Sequence, residues 1–425
     1  MSNPVRNPVR VEGQVAPGFE PVKARFEHNM KTLAERNAQL CIYVGDERVV
    51  DLWASCNGDA AFSADSLANV FSSSKNLEAI TLAMLFDQGL VDYGARVADY
   101  WPEYAANGKD QTTVADVMRH EAGLAAFDTT LNPVDLQASQ LATNTVGAII
   151  AGQTPKWRLG ADNQREYHAI TRGWIVNEIF RRIEPQGRTI GQFLRTQVSE
   201  KFALDAHIGA TDSEIARMSD VVMLGFGYQF MQGLVPRRLG RRIEPNLAQN
   251  LAKLWRLGKG RKSGTTAGAP TPLTGMKRLS VFNSTEVAKA EIPSAGARCS
   301  ARGLAKLAAI MANGGELEGK RLMSASAHAA LHAQPVARDM MSMPTTFTQG
   351  GVAAFGAPVD DSPLAAGLNA GREGFYGWMG LGGSIFQWHP ELKIGFGYVP
   401  TSLNILDIVN ERGKAYQVEV VNCLR

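Results

Sequence analysis

Hydrophobic residues recur every three or four positions in several stretches of the chain, a spacing typical of one face of an α-helix. Residues 19–36 show it first, and residues 300–313 repeat it near the C-terminal part. Between them, a third run extends from Leu77 to Leu85 and stops at Gly89, a residue that commonly ends helices. We therefore predict amphipathic helices at these three places, the third beginning near Ser72 or Ser73.

Other stretches carry short apolar runs that favour β-strands. Residues 40–44 and 49–53 flank a Gly-Asp turn, which predicts a hairpin. Residues 384–389 and 392–399 return to the same β-rich pattern near the C-terminus. Strands therefore lie at both ends of the chain. Between them the pattern is largely helical, over residues 134–151, 167–183 and 189–202, and a closing helix covers about 403–423.

This order predicts the fold class α/β (α+β), a sheet domain interrupted by an all-α insertion. We assign residues 1–18 to an irregular N-terminal arm. Residues 19–90 and 290–425 form the sheet domain, and residues 91–289 form the helical insertion. Within the insertion, residues 236–272 are basic and rich in Gly and Pro, which indicates a surface loop.

Composition narrows the class of protein. The 425 residues carry a net charge of +3, too small to indicate binding to nucleic acid or to a membrane surface. No apolar run reaches the roughly 18 residues that span a bilayer, and no secretory signal is visible. Four scattered cysteines favour a reduced, cytoplasmic protein. The sequence does not exclude that the chain is the mature form of a targeted protein, or that it forms a homo-oligomer.

The candidate chemistry lies at the start of the third helix. Residues three apart on a helix share a face, so Ser72 and Lys75 can meet. A serine hydroxyl becomes a strong nucleophile when a base takes its proton, and burial near positive charge lowers a lysine pKa enough for that task. Lys75 is the only lysine with a serine three positions before it. The spacing is that of the Ser-x-x-Lys motif of penicillin-recognising enzymes.

The histidines are weaker candidates for a functional site than Ser72 and Lys75. His120-Glu121 lacks the second histidine of a zinc-binding His-Glu-x-x-His motif. His328 and His332 lie one helical turn apart without a third ligand nearby in sequence, so we predict that both are surface residues. We expect no metal and no other cofactor.

Taken together, several segments make the chain resemble the class C β-lactamase and penicillin-binding-protein-like serine hydrolases. The nearest branches are the family VIII carboxylesterases and the eukaryotic β-lactamase-like proteins. The resemblance covers roughly residues 19–424, and its main segments, in chain order, are 71–75, 90–92 with 113–124, 167–169 and 377–384.

The resemblance implies an antiparallel sheet built from the two terminal segments, flanked by helices, with the site where the inserted domain meets it. It also implies that Ser72 is the nucleophile and Lys75 its base partner. Tyr167 takes the place of the family's tyrosine, and we expect a charged Lys75 to lower its pKa. Which of the two takes the serine proton stays open. The backbone N–H groups of Ser72 and Leu381 would form the oxyanion hole, and Gly380 would let substrate approach the backbone.

Two departures from the family pattern bear on the substrate. Ala169 replaces an asparagine that would hold a substrate side chain, and Trp378 replaces the cation or imidazole that would bind a carboxylate. Both favour neutral or apolar acyl groups. We therefore predict a carboxylesterase for small or short-chain esters, with Trp378, Gly380 and Ala169 at the substrate and with weak or no β-lactamase activity.

Three alternatives stay open. The enzyme could be a β-lactamase, or a peptidase for small peptides of the D-amino-acid type, for which Arg372 is a candidate cation. A protein of another class, a self-associating scaffold with this fold, is the third alternative. Ser72, Lys75 and Tyr167 are all retained, which favours an active hydrolase.

Overall fold

The computed structural model of the chain describes residues 9–157, 164–249, 251, 268–340, 343–356 and 363–425. Its central feature is a nine-stranded sheet in the order β1-β3-β2-β15-β14-β13-β12-β11-β10, with every neighbouring pair antiparallel. The strands are β1 Arg10–Val15, β2 Asn37–Val44, β3 Glu47–Ser55, β10 Val336–Met340, β11 Met343–Phe347, β12 Ala353–Ala354, β13 Tyr376–Met379, β14 Ile385–His389 and β15 Ile394–Pro400. The predicted mixed fold, with a sheet built from both terminal segments, is confirmed.

Helices cover both faces of this sheet, so its central strands are buried on each side. On β2, Leu40 and Ile42 face one hydrophobic cluster, which also includes residues of α1 (Glu20–Thr32). Cys41 and Tyr43 face the other cluster. Strands buried on both faces read as continuous apolar runs rather than as alternating patterns, as residues 40–44 do.

One helix approaches the sheet unusually closely. The helix Ala301–Ala312 packs on β2, β14 and β15, and a Cβ atom at Gly395 or Gly397 of β15 would overlap its backbone. The close packing therefore requires glycine at both positions. This helix confirms the apolar periodicity that we identified at residues 300–313.

The predicted irregular arm is wrong for residues 10–15, which form the edge strand β1 and pair with β3. Val9, Val11 and Val15 pack against the cluster beneath the sheet. Their period-two spacing was visible in the sequence, and pairing with the hairpin gives it a surface to cover.

The middle of the chain is largely helical but is not all-α. After α1, the helices of the described residues, from the middle of the chain to its C-terminal part, are α2 Lys75–Asp87, α3 Val97–Tyr100, α4 Val114–Met118, α5 Ala138–Leu141, α6 Thr145–Gly152, α7 Thr171–Ile183, α8 Ile190–Leu194, α9 Glu200–Phe202, α10 Asp212–Ile215, α11 Phe226–Leu234, α12 Thr285–Lys289, α13 Ala301–Ala312, α14 Ala325–His332, α15 Pro363–Asn369 and α16 Glu411–Cys423. Short 3₁₀ turns occur at Phe71–Ser74, Pro102–Gly108, Pro133–Leu136, Arg237–Leu239 and Leu279–Asn283, and Arg195–Ser199 is a π-turn.

Among the described residues, seven two-residue strands stand outside the large sheet. They are β4 Ala68–Asn69, β5 Ala206–His207, β6 Val222–Met223, β7 Arg298–Cys299, β8 Glu316–Leu317, β9 Lys320–Arg321 and β16 Ser402–Leu403. Two of them, β5 and β6, interrupt the region that we predicted as all-α.

Several predicted helices have different bounds. Residues 134–151 are divided among a 3₁₀ turn, α5 and α6, because Asn144 adopts a left-handed conformation between α5 and α6. The closing helix α16 begins at Glu411, not near 403. The division into sheet and inserted domains at residues 90 and 290 stays a prediction, and residues 252–267 of the basic loop lie outside the described residues.

Two further findings concern the chain as a whole. The four cysteines, all among the described residues, form no disulfide bond. Within the part of the chain that the structure describes, no helix is both long enough and apolar enough to cross a bilayer.

Candidate active site

Ser72 lies in a strained turn at the start of α2. The chain leaves β4, makes one 3₁₀ turn over Phe71–Ser74 and continues directly into the α-helix at Lys75. Phe71 has a φ of +46°, a region that non-glycine residues rarely occupy. Such strain costs about 1–3 kcal/mol and is concentrated at functional sites. The helix predicted from the sequence is present, with Ser72 in its leading turn.

Lys75 is the first residue of α2, and its amine nitrogen lies 3.4 Å from the Ser72 hydroxyl oxygen. The same nitrogen donates to the carbonyl oxygens of Ala169, at 2.6 Å, and Ser294, at 2.9 Å. A neutral amine has two N–H donors and one lone pair. With both donors directed to carbonyl groups, the lone pair is left for the serine hydroxyl.

The electrostatic environment favours this neutral amine. Lys75 is fully buried, and desolvation lowers its pKa well below the usual value of 10.5. The nearby Arg172 guanidinium lowers the pKa further, whereas the Glu78 carboxylate raises it. Burial disfavours the ammonium form, which makes Lys75 suited to accept a proton.

A buried ion pair that the sequence analysis missed lies beneath the amine. Arg172, on α7, pairs with Glu78, on α2, and both side chains are inaccessible to solvent. Arg172 also donates to the Lys75 carbonyl oxygen at 3.0 Å, and Ser294 donates its hydroxyl to Glu78 at 2.8 Å. The pair therefore ties together the three segments that carry Lys75, Ala169 and Ser294.

Tyr167 lies in the loop before α7 and contacts both predicted catalytic residues. Its hydroxyl accepts the indole N–H of Trp378 at 3.1 Å, and the interaction with the Ser72 side chain acts to lower its pKa. The Lys75 nitrogen lies 4.8 Å from its ring centre. Desolvation raises the pKa of Tyr167 and outweighs the hydrogen bonds that lower it. The expectation of a lowered phenol pKa is therefore wrong, because burial disfavours the phenolate.

Two neutral histidines hold this loop. His168 Nε2 accepts the Leu124 backbone N–H at 3.0 Å, and its Nδ1 contacts the Glu166 carbonyl oxygen at 2.6 Å. His120 Nδ1 accepts the His168 backbone N–H at 3.2 Å. Burial lowers the pKa of His168 to about 4 and that of His120 well below 6.5. Each ring therefore uses one nitrogen to orient the backbone around Tyr167.

Trp378 is buried rather than displayed to a substrate. Its side chain is 7% exposed and packs against Phe347 and Phe355 beneath β13. Its contact with the site is the hydrogen bond to Tyr167. Because Trp378 only donates, it leaves the phenol proton free to point toward Ser72.

The glycine-rich turn after β13 lies close to the turn that carries Ser72. A Cβ atom on Gly380 would overlap the Val70 carbonyl oxygen and the Ser384 hydroxyl, so this close approach needs glycine. It places Leu381 beside the turn that carries Ser72. No described residue accepts a hydrogen bond from the N–H of Ser72 or of Leu381.

Residues that the sequence analysis did not identify hold the turn in place. Asn410 donates to the Gly383 carbonyl oxygen at 2.7 Å, and Arg412 donates to that of Gly382 while pairing with Glu35 at 2.8 Å. On the other side, one hydrogen bond of 2.9 Å joins the hydroxyl groups of Ser73 and Ser384. Buried polar residues far apart in sequence therefore fix the two N–H groups.

Other predicted positions have different roles. Ala169 is exposed, and the contact it makes is through its carbonyl oxygen to Lys75. Arg372 is fully buried and bonded to Gln417 and to backbone carbonyls, so it is not available to a substrate carboxylate. His328 and His332 are half-buried, not surface residues, and His332 accepts the Trp388 indole N–H at 2.9 Å. Among the described residues, no three His, Cys, Asp or Glu side chains are grouped to hold a metal ion.

The chain is similar in sequence to known proteins. A family model described as Beta-lactamase matches residues 22–415. The esterase/beta-lactamase LipL of Mycobacterium tuberculosis is 30% identical over 403 residues, covering 93% of this chain and 83% of LipL.

Solved structures give the same result. A family VIII carboxylesterase superposes with a TM-score of 0.75 at 26% identity, covering 97% of this chain and 100% of the other. A penicillin-binding protein homologue from Caulobacter crescentus gives a TM-score of 0.73 at 26% identity, with the same coverage. The chain therefore belongs to the Beta-lactamase family, as a serine hydrolase.

Proposed function

We propose that the protein is a carboxylesterase that forms an acyl-enzyme on Ser72, with Lys75 as the base. The observation that carries this proposal is the arrangement of the Lys75 amine. Its two N–H groups donate to Ala169 and Ser294, and it lies 3.4 Å from the Ser72 hydroxyl. A base held in this way needs no reorganisation before it takes the serine proton.

In the acylation step, the neutral amine of Lys75 takes the proton of Ser72 while the serine oxygen attacks the ester carbonyl carbon. The carbonyl oxygen gains negative charge, and the N–H groups of Ser72 and Leu381 stabilise it. Tyr167 stays protonated because its pKa is raised, so it donates a hydrogen bond to the serine oxygen. The tetrahedral intermediate then breaks the bond to the leaving alcohol, which receives the proton from the Lys75 ammonium.

Deacylation repeats these steps with water as the nucleophile. Lys75 is neutral again once the alcohol has left, and it takes a proton from the attacking water through the Lys75–Tyr167 pair. The same two N–H groups hold the second oxyanion. Collapse of this intermediate releases the acid and returns the proton to Ser72.

The preference for esters rests on Trp378 and Ala169. Trp378 carries no charge, its single N–H donates to Tyr167, and the rest of its ring is buried. It therefore has no group with which to bind a substrate carboxylate. Ala169 leaves only a methyl group where the family pattern has an amide. The family VIII carboxylesterase and LipL, whose name includes esterase activity, further support this reading.

β-Lactam hydrolysis is the second candidate, since the name of LipL pairs esterase with beta-lactamase. The peptidase alternative loses the cation suggested for it, because Arg372 is buried among backbone carbonyl groups. The scaffold alternative has no support from the site, where Ser72, Lys75 and Tyr167 are in mutual contact.

The experiment compares turnover of p-nitrophenyl butyrate and nitrocefin by the wild-type protein and by Ser72→Ala. We expect butyrate hydrolysis that the substitution abolishes, and nitrocefin hydrolysis that is much slower. Nitrocefin turnover equal to or faster than that of the ester would contradict the substrate preference. Ester turnover that survives in folded Ser72→Ala would contradict the assigned nucleophile.

A further inference from the structure

The helix α11 presents its apolar side chains to solvent. Phe226, Phe230, Met231 and Leu234 are each between 37% and 62% exposed, and these four residues are called the apolar helix face below. The buried positions of this helix are instead Gln229 and Gly233. A helix of a globular protein normally turns its apolar side to the core, so the usual arrangement is reversed here.

The inward-facing glutamine explains why the helix adopts this orientation. The Gln229 amide donates to the Leu224 carbonyl oxygen at 2.6 Å, and its side-chain oxygen accepts the Leu406 N–H at 3.1 Å. Rotating the helix to bury its aromatic residues would break both hydrogen bonds. The hydrogen bonds of Gln229 therefore fix the orientation in which the apolar helix face is exposed.

Backbone hydrogen bonds connect the segment before this helix to the candidate active site. The strand β6, just before α11, pairs with β16, and Leu224 N–H donates to the Leu403 carbonyl oxygen at 3.0 Å. The next residue, Asn404, donates its N–H to the Gly382 carbonyl oxygen at 3.2 Å. These hydrogen bonds connect the segment before α11 to the turn that carries the exposed Leu381.

Positive charge follows the helix directly. Arg237 and Arg238, in the 3₁₀ turn after α11, are both exposed, and Arg237 is paired with Glu244 at 3.2 Å. Arg241 and Arg242 lie three residues further on and donate to backbone carbonyl groups. An apolar helix face bordered by arginines matches the chemistry of an anionic lipid surface, in which acyl chains lie beneath negatively charged headgroups.

We propose that the apolar helix face docks the protein on an anionic lipid surface and so brings the candidate active site to acyl esters held there. The docking rests on exposure, position and charge. The supply of substrate from that surface rests on the proposed esterase function. The sequence predicted no membrane contact, because neither the absence of a bilayer-spanning run nor a small net charge reports the direction in which a short helix faces.

The test measures co-sedimentation with vesicles of phosphatidylcholine alone and with about one third phosphatidylglycerol, at low and high salt. The test variant is the triple substitution Phe226→Ser, Met231→Ser and Leu234→Ser. The matched control places serine at three exposed apolar residues elsewhere, Val134, Leu392 and Val418. Circular dichroism and urea unfolding check that each variant is folded.

We expect the wild-type protein and the control to bind the anionic vesicles, more weakly at high salt, and the triple variant to bind at least about tenfold more weakly. Absence of wild-type binding, or equal binding by the triple variant, would overturn the proposal. A dimer in analytical ultracentrifugation that the triple variant converts to a monomer would also overturn it, since a second copy would then cover the face. Binding is measured without turnover, so failure of the esterase assignment would leave the docking result intact.

Discussion

The guanidinium of Arg172 donates a hydrogen bond to the Lys75 carbonyl oxygen across 3.0 Å, so a buried positive charge lies directly beneath the amine proposed as the base. Glu78 pairs with the same guanidinium. The two charges act on the pKa of Lys75 in opposite directions, since Arg172 lowers it and Glu78 raises it. Burial has the largest effect on this pKa, and the ion pair adjusts it further while holding the backbone of Lys75 in place.

We predict that Glu78→Gln and Arg172→Gln move the acid limb of kcat/KM in opposite directions. Activity requires neutral Lys75, so it rises with pH through the pKa of that residue. Loss of the Glu78 carboxylate lowers this pKa and moves the limb to lower pH, whereas loss of Arg172 raises it and moves the limb to higher pH. Each variant also loses about 3–5 kcal/mol of stability, because the remaining charge is buried without its partner.

The measurement is the pH dependence of p-nitrophenyl butyrate hydrolysis, with urea unfolding as the stability control. A purely structural role for the pair predicts reduced activity in both variants with an unchanged limb. Shifts in the same direction would contradict the electrostatic explanation.

Trp378→Phe should lower kcat/KM by about five- to tenfold while the protein stays folded. The substitution keeps the packing against Phe347 and Phe355 but removes the N–H that bonds Tyr167, and a neutral hydrogen bond contributes about 1 kcal/mol. The matched control is Trp388→Phe, which removes a similar bond to His332 away from Ser72. Equal kinetic effects of the two substitutions would remove Trp378 from the account of the site.

Burial of His168 makes part of the stability depend on pH. The pKa of its ring is about 4 in the folded protein, below the usual 6.5, so the unfolded chain binds the proton more readily. Neutral His168 therefore contributes about 3 kcal/mol to the free energy of unfolding above pH 6.5, and this contribution is lost as the pH falls toward 4. Protonation of His168 Nε2 would direct its new N–H at the Leu124 backbone N–H, from which Nε2 accepts a hydrogen bond in the neutral ring.

The test compares the free energy of unfolding of wild-type protein and His168→Gln at pH values between 4 and 7. The difference between them isolates His168 from other buried groups that titrate in this range. We predict that the destabilisation is largest near pH 7 and shrinks toward pH 4. The exposed His28 provides the control, as His28→Gln, and a constant difference for His168→Gln would refute the assignment.

The contact between Ser72 and Lys75 was predictable from sequence because helical spacing alone puts residues three apart on one face. The contact of Tyr167 and Trp378 with them was not, since it joins segments far apart in the chain, and only the family resemblance indicated it. Local patterns gave the hairpin and α13 for the same reason that they gave the nucleophile helix.

Glu78 and Arg172 were missed because a charged residue in a helix usually faces solvent, and the pairing of two such residues from different helices leaves no local pattern. One indication was present, since Glu78 interrupts the apolar run of α2. The reversed orientation of α11 was hidden in a similar way. Periodicity shows that a helix has an apolar face but does not show which way that face points.

The most direct test of the central claim is covalent labelling with a p-nitrophenyl alkylphosphonate, followed by intact-protein mass spectrometry and peptide mapping. The test variant is Ser72→Ala, and the control is its neighbour Ser73→Ala, whose hydroxyl bonds Ser384 instead of Lys75. The account predicts a single adduct on Ser72, absent from folded Ser72→Ala and retained in Ser73→Ala. An adduct that persists in Ser72→Ala, or that maps to another residue of the wild-type protein, would contradict it.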